Sequence, residues 1–196
     1  MNTRVIAASP RRVLADTFSR SLASDVALVV GGSALVGALA QISIPLTFTP
    51  VPLTGQTLGV LLVGATLGTR RASASLTFYV MAGLAGVPWF AGHTSHVPIA
   101  LVGYLLGFLA AGALTGALAE RAQERTVTRA VLSMLAGELA IYAVALPWLA
   151  VSLHVSLASA LSLGLRPFMI GDAIKAALAG LALPGAWHFV ERTSSR

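Results

Sequence analysis

Apolar residues in this chain gather into six runs, at residues 25–44, 55–69, 72–88, 98–119, 128–151 and 168–190. A helix needs roughly 20 apolar residues to cross a bilayer, so four runs are long enough and the second and third are short. Gly68-Thr69-Arg70-Arg71 splits that short pair, with the glycine ending one helix and two arginines anchoring the turn. Gly, Pro and Thr dominate the connections at 45–54 and 88–98, and the less apolar stretch 152–167 fits a short interfacial helix before Arg166-Pro167. The pattern predicts an all-α integral membrane fold, a bundle of six transmembrane helices. Its expected organisation is an N-terminal tail over 1–24, a membrane domain over 25–190 and a C-terminal tail over 191–196. No internal repeat or low-complexity tract interrupts it.

Composition agrees. Of 196 residues, 56% are hydrophobic and 10% charged, and the mean hydropathy is +0.83. Soluble domains carry about 25% charged residues. Six spans with short connections leave no room for a separate soluble domain. Cysteine is absent, which removes disulfides and thiolate chemistry. Met1 to Asp25 is basic, but the apolar run after it, Val26 to Leu46, is too long for a signal-peptide core, so no cleavage is expected.

The net charge of +6 does not form one patch, which argues against a nucleic-acid partner. It instead orients the chain. Arg4, Arg11, Arg12, Arg20, Arg70, Arg71, Arg121, Arg125, Arg129, Arg192 and Arg196 fall on one side of the six-span arrangement, and Arg166 falls alone on the other. The positive-inside rule then places both termini in the cytoplasm of a multi-pass protein in the cell inner (plasma) membrane.

The outer loops are unusual in the opposite sense. Segments 45–54 and 88–98 contain no acidic residue, lysine or arginine. Loops this apolar face water poorly, so 45–54 is expected to fold down as a lid over a cavity, where irregular backbone is tolerated if protein buries it. For 88–98 two readings stand: a lid, or a loop at the headgroup level anchored by Trp89.

Candidate chemistry concentrates in the last run. Lys175, the single lysine, follows Asp172 by three residues within apolar sequence. Each charge costs about 2.5–3.5 kcal/mol at a helix centre on insertion scales. Residues three apart share a helix face, so the pair lines a polar cavity or else satisfies only itself. Glu138 in the fifth run is a second buried charge. It is either a proton-coupling carboxylate or a structural acid bonded to Tyr142 or a neighbouring helix. Ala34 and Ala38, with Gly37 between, give the first run a small-residue stripe, for a partner helix or for internal packing.

Other chemistry is excluded or weak. The lysine is followed by alanine, so no ATP-binding P-loop exists. Gly31-Gly32-Ser33-Ala34-Leu35 lacks the last glycine of a nucleophile elbow and lies in a helix, and no nucleophile–base pair can be assembled. His93-Thr94-Ser95-His96 has no cysteine or carboxylate nearby and reads as a loop with two wet histidines rather than a metal site. His154 and His188 read as interfacial.

Several stretches, in order, resemble the biotin-specific S components of energy-coupling-factor (ECF) transporters, the BioY family. They are Ala40-Gln41-Ile42-Ser43-Ile44-Pro45, Val51-Pro52-Leu53-Thr54-Gly55-Gln56-Thr57-Leu58, Gly86-Val87-Pro88-Trp89-Phe90-Ala91-Gly92, Gly103-Tyr104-Leu105-Leu106-Gly107-Phe108 and Pro147-Trp148-Leu149. The last runs from Gly164 to Lys175 and ends in a Gly-Asp-x-x-Lys pattern. This chain departs from the family in having His93-Thr94-Ser95-His96 and Pro98-Ile99-Ala100-Leu101-Val102 where glycine-rich stretches are usual.

The resemblance implies a six-helix bundle with both termini inside and a ligand cavity near the outer surface. It implies a transmembrane coupling subunit that meets Ala34 and Ala38, and partner ATPases that supply energy. It also implies biotin as transported ligand, no cofactor and no enzymatic activity. Biotin's ureido ring suits Asp172 and its carboxylate suits Lys175. Gln56 and Thr54 offer neutral hydrogen bonds, and Trp89, Phe90, Tyr79 and Tyr104 are candidate walls. The rival reading is an autonomous proton-coupled transporter that uses Glu138.

Overall fold

The computed structural model describes residues 13–17, 21–122 and 126–194. Arg4, Arg11, Arg12, Arg20, Arg125 and Arg196, used above to orient the chain, lie outside the described residues. Among those described, six α-helices and one short hairpin make up the molecule: α1 (Leu22–Ala40), β1 (Ser43–Ile44), β2 (Leu53–Thr54), α2 (Gln56–Leu84), α3 (Val102–Ala122), α4 (Val127–Leu153), α5 (Leu157–Gly164) and α6 (Met169–Ser194). This is a mostly helical multi-pass membrane protein. Among the described residues four segments are long and apolar enough to cross a bilayer, namely Leu22–Ala40, Ile99–Arg121, Val127–Leu153 and Met169–Val190.

One feature differs from the expectation. The fold is not wholly α, because β1 and β2 pair antiparallel with Ser43 opposite Thr54. The two short apolar runs form the two helical halves of α2, which meet at Gly68, the residue expected to end the first of them. Gly68 has φ 77° and ψ 171°, a conformation that side chains rarely adopt, and the helix restarts with Thr69. The turn is thus shorter than the sequence suggested, and Arg70 and Arg71 lie on the helix that follows.

Close backbone approach explains the break. A Cβ on Gly116 of α3 would lie 2.5 Å from the Thr69 nitrogen and 2.7 Å from the Gly68 carbonyl carbon, so α3 crosses directly against the kink. Glu120 then accepts from the freed Thr69 N–H at 2.7 Å. Arg71 donates to Asp25 on α1 at 2.7 Å and to Asp16 at 2.9 Å. Residues Leu14–Thr17 form one 3-10 turn packed on this end, with Val13 and Ala15 buried. Part of the segment expected as a tail is therefore core. At the other terminus α6 runs past residue 190 to Ser194.

Chain direction follows from these contacts. Arg70, Arg71, Arg121, Arg129 and Arg192 lie towards the end that holds the Gly68 kink, and Arg166 lies at the opposite end, between α5 and α6. The short helix expected within 152–167 is α5, capped by Ser156, whose side chain accepts from the Ser159 N–H at 3.1 Å. Ser33 is a structural hydroxyl, donating to Ser75 O across α1 and α2 at 2.7 Å.

Candidate ligand cavity

At the end opposite the Gly68 kink, two loops fold over the helix ends and partly cover a cavity of about 870 Å³. That lies within the range of small-molecule sites, about 300–1,000 Å³. The first loop is the β1–β2 hairpin, and prolines at 45, 50 and 52 stiffen its tip. Thr49 Oγ1 donates to Leu163 O on α5 at 2.8 Å and accepts from Val51 N at 3.2 Å, which buries both residues. Segment 45–54, expected as a lid, therefore lines the cavity and is pinned to α5.

The second loop also covers the cavity. Gln41, at the end of α1, donates to Trp89 O at 3.0 Å and accepts from His93 N at 3.1 Å. Phe90 N donates to Thr94 O at 2.9 Å, and this closes a turn that His93 enters with φ 57°. His93 and His96 both line the cavity while remaining exposed. No group of three or more metal-ligating side chains exists among the described residues.

The polar floor comes from α2, α4 and α6. Asp172 and Lys175 both line the cavity, and Lys175 Nζ donates to Asp172 Oδ1 at 3.1 Å and to Thr57 Oγ1 at 2.7 Å. Tyr142 donates to the other oxygen, Asp172 Oδ2. Asp172 is 7% exposed. A carboxylate so buried is sustained only by donors on both oxygens and an adjacent cation. The pair does face a cavity, yet lone pairs on Asp172 and one ammonium N–H remain for a ligand.

The remaining candidates divide. Thr54, Gln56, Phe90 and Tyr104 line the cavity, whereas Tyr79 and Trp89 do not. Gln56 donates to the Tyr79 hydroxyl at 2.8 Å and accepts from Thr54 Oγ1 at 3.1 Å. Tyr79 is fully buried behind Phe90, with ring centroids 5.4 Å apart at 87°. Trp89 is half-buried: its Nε1 donates to Tyr79 O at 2.9 Å and its ring packs on Gly37 of α1. Both aromatics brace the wall from behind. Tyr104 fixes the wall to α5 by donating to Gly164 O at 2.8 Å.

Two floor residues escaped the sequence reading. Thr57 adjoins Gln56 in a stretch singled out above, but nothing local marks it as a partner of the lysine. Tyr142 was paired with Glu138 because they lie four residues apart. Its hydroxyl instead reaches across to α6, and neither Glu138 oxygen has a hydrogen-bond partner among the described residues.

With this geometry in view, the sequence matches the BioY family over residues 9–192. The chain belongs to the BioY family. It is 32% identical over 165 residues to a Lactococcus lactis subsp. cremoris protein named biotin transporter BioY2, covering 81% of this chain and 89% of that one. It is 30% identical over 168 residues to biotin transporter BioY of Rhizobium etli, covering 80% and 89%. Its fold matches the 2.1 Å crystal structure of the S-component for biotin from an ECF-type ABC transporter, with a TM-score of 0.74, 23% identity, and coverage of 85% of this chain and 93% of that one. The loops over the cavity and the acid–lysine floor are thus carried by a BioY-family chain in an S-component fold.

Ala34 and Ala38 are exposed on α1, while Gly32, Ser33, Val36, Gly37 and Ala40 face inward. Ala34 and Ala38 are thus exposed, whereas Gly37 between them packs against Trp89 of the same chain.

Proposed function

We propose that this protein is the biotin-binding S component of an ECF-type vitamin uptake transporter, capturing biotin at the lidded end and delivering it to the arginine-rich end. The observation that carries the reading is the Asp172–Lys175 pair at the floor of a partly covered, mostly apolar cavity. Biotin has an apolar bicycle, a ureido group with two N–H donors, and a carboxylate. Asp172 accepts from the ureido N–H groups and Lys175, which is bonded to it, donates to an acceptor oxygen of the ligand. Thr54 and Gln56 add neutral hydrogen bonds, Phe90 and Tyr104 supply walls, and Tyr79 and Trp89 hold Phe90 in place.

In this reading both termini are cytoplasmic, the two halves of α2 join α1, α3, α4 and α6 as six spans, and the protein sits in the cell inner membrane. It has no ATP-binding motif, so cytoplasmic ATPases act through a transmembrane coupling subunit that docks on Ala34 and Ala38. Its role is transport rather than catalysis. Purification from cells supplied with labelled biotin tests this directly: the protein carries the label, and a label-free preparation that also fails to take up biotin on addition overturns the reading.

A further inference from the structure

Helices α4 and α6 run antiparallel, and their polar residues fall on two levels. Tyr142 meets Asp172 near the cavity, and further from the lids a Cβ on Gly180 would lie 2.4 Å from Val131 Cγ2. Between those contacts the register sets Glu138 at the level of Lys175. Each lies about one helical turn further from the lids than its neighbour on the same helix, Tyr142 or Asp172.

The two levels are filled unequally. At the upper one Asp172 receives Tyr142 and Lys175. At the lower one Glu138 is 4% exposed, with both oxygens buried and no hydrogen-bond partner among the described residues. It lies within electrostatic reach of both Asp172 and Lys175. An acid buried in a membrane span without a donor is costly, and such groups face a pathway or a partner. Lys175 has three N–H donors, and two are used, on Asp172 and Thr57. A flexible four-carbon stem carries this ammonium between two acid levels.

We propose that Glu138 is the alternate counter-ion of Lys175, receiving the ammonium when it leaves Asp172 and the cavity. The inference rests on the ligand reading above for its purpose. With Lys175 on Asp172, the cation faces the cavity and holds an acceptor group of the ligand. With Lys175 on Glu138, that group loses its cation and the ligand is released towards the arginine-rich end. Glu138 is a positioning residue in this scheme, acting through Lys175.

A double-mutant cycle on the thermal stability of the full-length, ligand-free protein in detergent tests it. Asp172→Asn alone should lower Tm modestly, because Lys175 re-pairs with Glu138. Asp172→Asn with Glu138→Gln should lower Tm several degrees beyond the sum of the single changes, and Lys175→Met should abolish that excess. Additive changes, or an excess that survives Lys175→Met, overturn the proposal. If Glu138→Gln does not fold, Glu138→Asp keeps the charge but shortens its reach. Biotin binding should then stay within about threefold of wild type while cellular uptake falls at least tenfold, and unchanged uptake overturns the proposal. Failure of the wild-type protein to bind biotin would defeat the ligand reading, and the stability cycle would still decide the counter-ion role. Biotin binding with an additive cycle would defeat the counter-ion role alone.

Discussion

Tyr142 on α4 and Asp172 on α6 are joined by a buried hydrogen bond, so the acid at the cavity floor is held from two helices at once. Lys175 takes one carboxylate oxygen and Tyr142 takes the other, which fixes the plane of the group and the direction of its remaining lone pairs. Tyr142→Phe keeps the ring and removes this donor. A hydrogen bond to a charged group contributes about 1.5–3 kcal/mol. Biotin affinity measured by titration calorimetry should therefore fall about tenfold to a hundredfold. Unchanged affinity would reduce Tyr142 to a packing residue.

The cavity wall depends on a glycine. A Cβ on Gly83 would lie 2.1 Å from the Phe90 ring, whereas one on Gly31 meets nothing within 4 Å. Overpacking costs about 1–3 kcal/mol. Gly83→Ala should push Phe90 into the cavity, lowering both thermal stability and biotin affinity. Gly31→Ala should leave both unchanged in detergent. Equal effects from the two substitutions would contradict the assigned wall.

Docking makes a separate claim. Ala38 is exposed on α1. Ala38→Trp should leave folded yield and biotin binding at wild-type levels while it prevents co-purification with a coupling subunit and abolishes uptake. Loss of binding together with yield would mean that the stripe serves the protein's own fold.

Topology is testable without ligand. Five of the six described arginines gather at the end holding the Gly68 kink, and Arg166 lies at the other. A reporter active only in the cytoplasm, fused after Arg196, should be active, and a second one inserted at the His93–His96 loop should be silent. The reverse pattern would invert the proposed orientation.

Much of this was legible in the sequence because bilayer thickness and hydrogen-bond satisfaction constrain a membrane chain strongly. The long apolar runs became α1, α3, α4 and α6, the uncharged segment 45–54 lines the cavity and is pinned to α5, and Asp172 with Lys175 lines a cavity as their cost at that depth suggested. Contacts that depend on how helices are laid side by side were not legible. Glu138 and Tyr142 are neighbours along one helix, and only the packing of α4 on α6 shows that the tyrosine serves Asp172 and leaves the glutamate alone. Tyr79 and Trp89 were read as walls from residue type, but the bulk of Phe90 places them one layer behind. The break at Gly68 was legible from the Gly-Thr-Arg-Arg stretch, whereas the restart of the helix at Thr69 depends on α3 crossing there.

The central claim is that the Asp172–Lys175 floor is a biotin site, and affinity titration of the purified protein tests it most directly. Removing one member of the pair leaves the other to find a new partner, so a single change confounds folding with binding. Asp172→Asn together with Lys175→Met removes both charges at once. The wild-type protein should bind biotin tightly at one equivalent, and the double variant should fold yet bind at least a hundredfold more weakly. A wild-type protein that does not bind biotin, or a double variant that binds it near wild-type strength, would contradict the account.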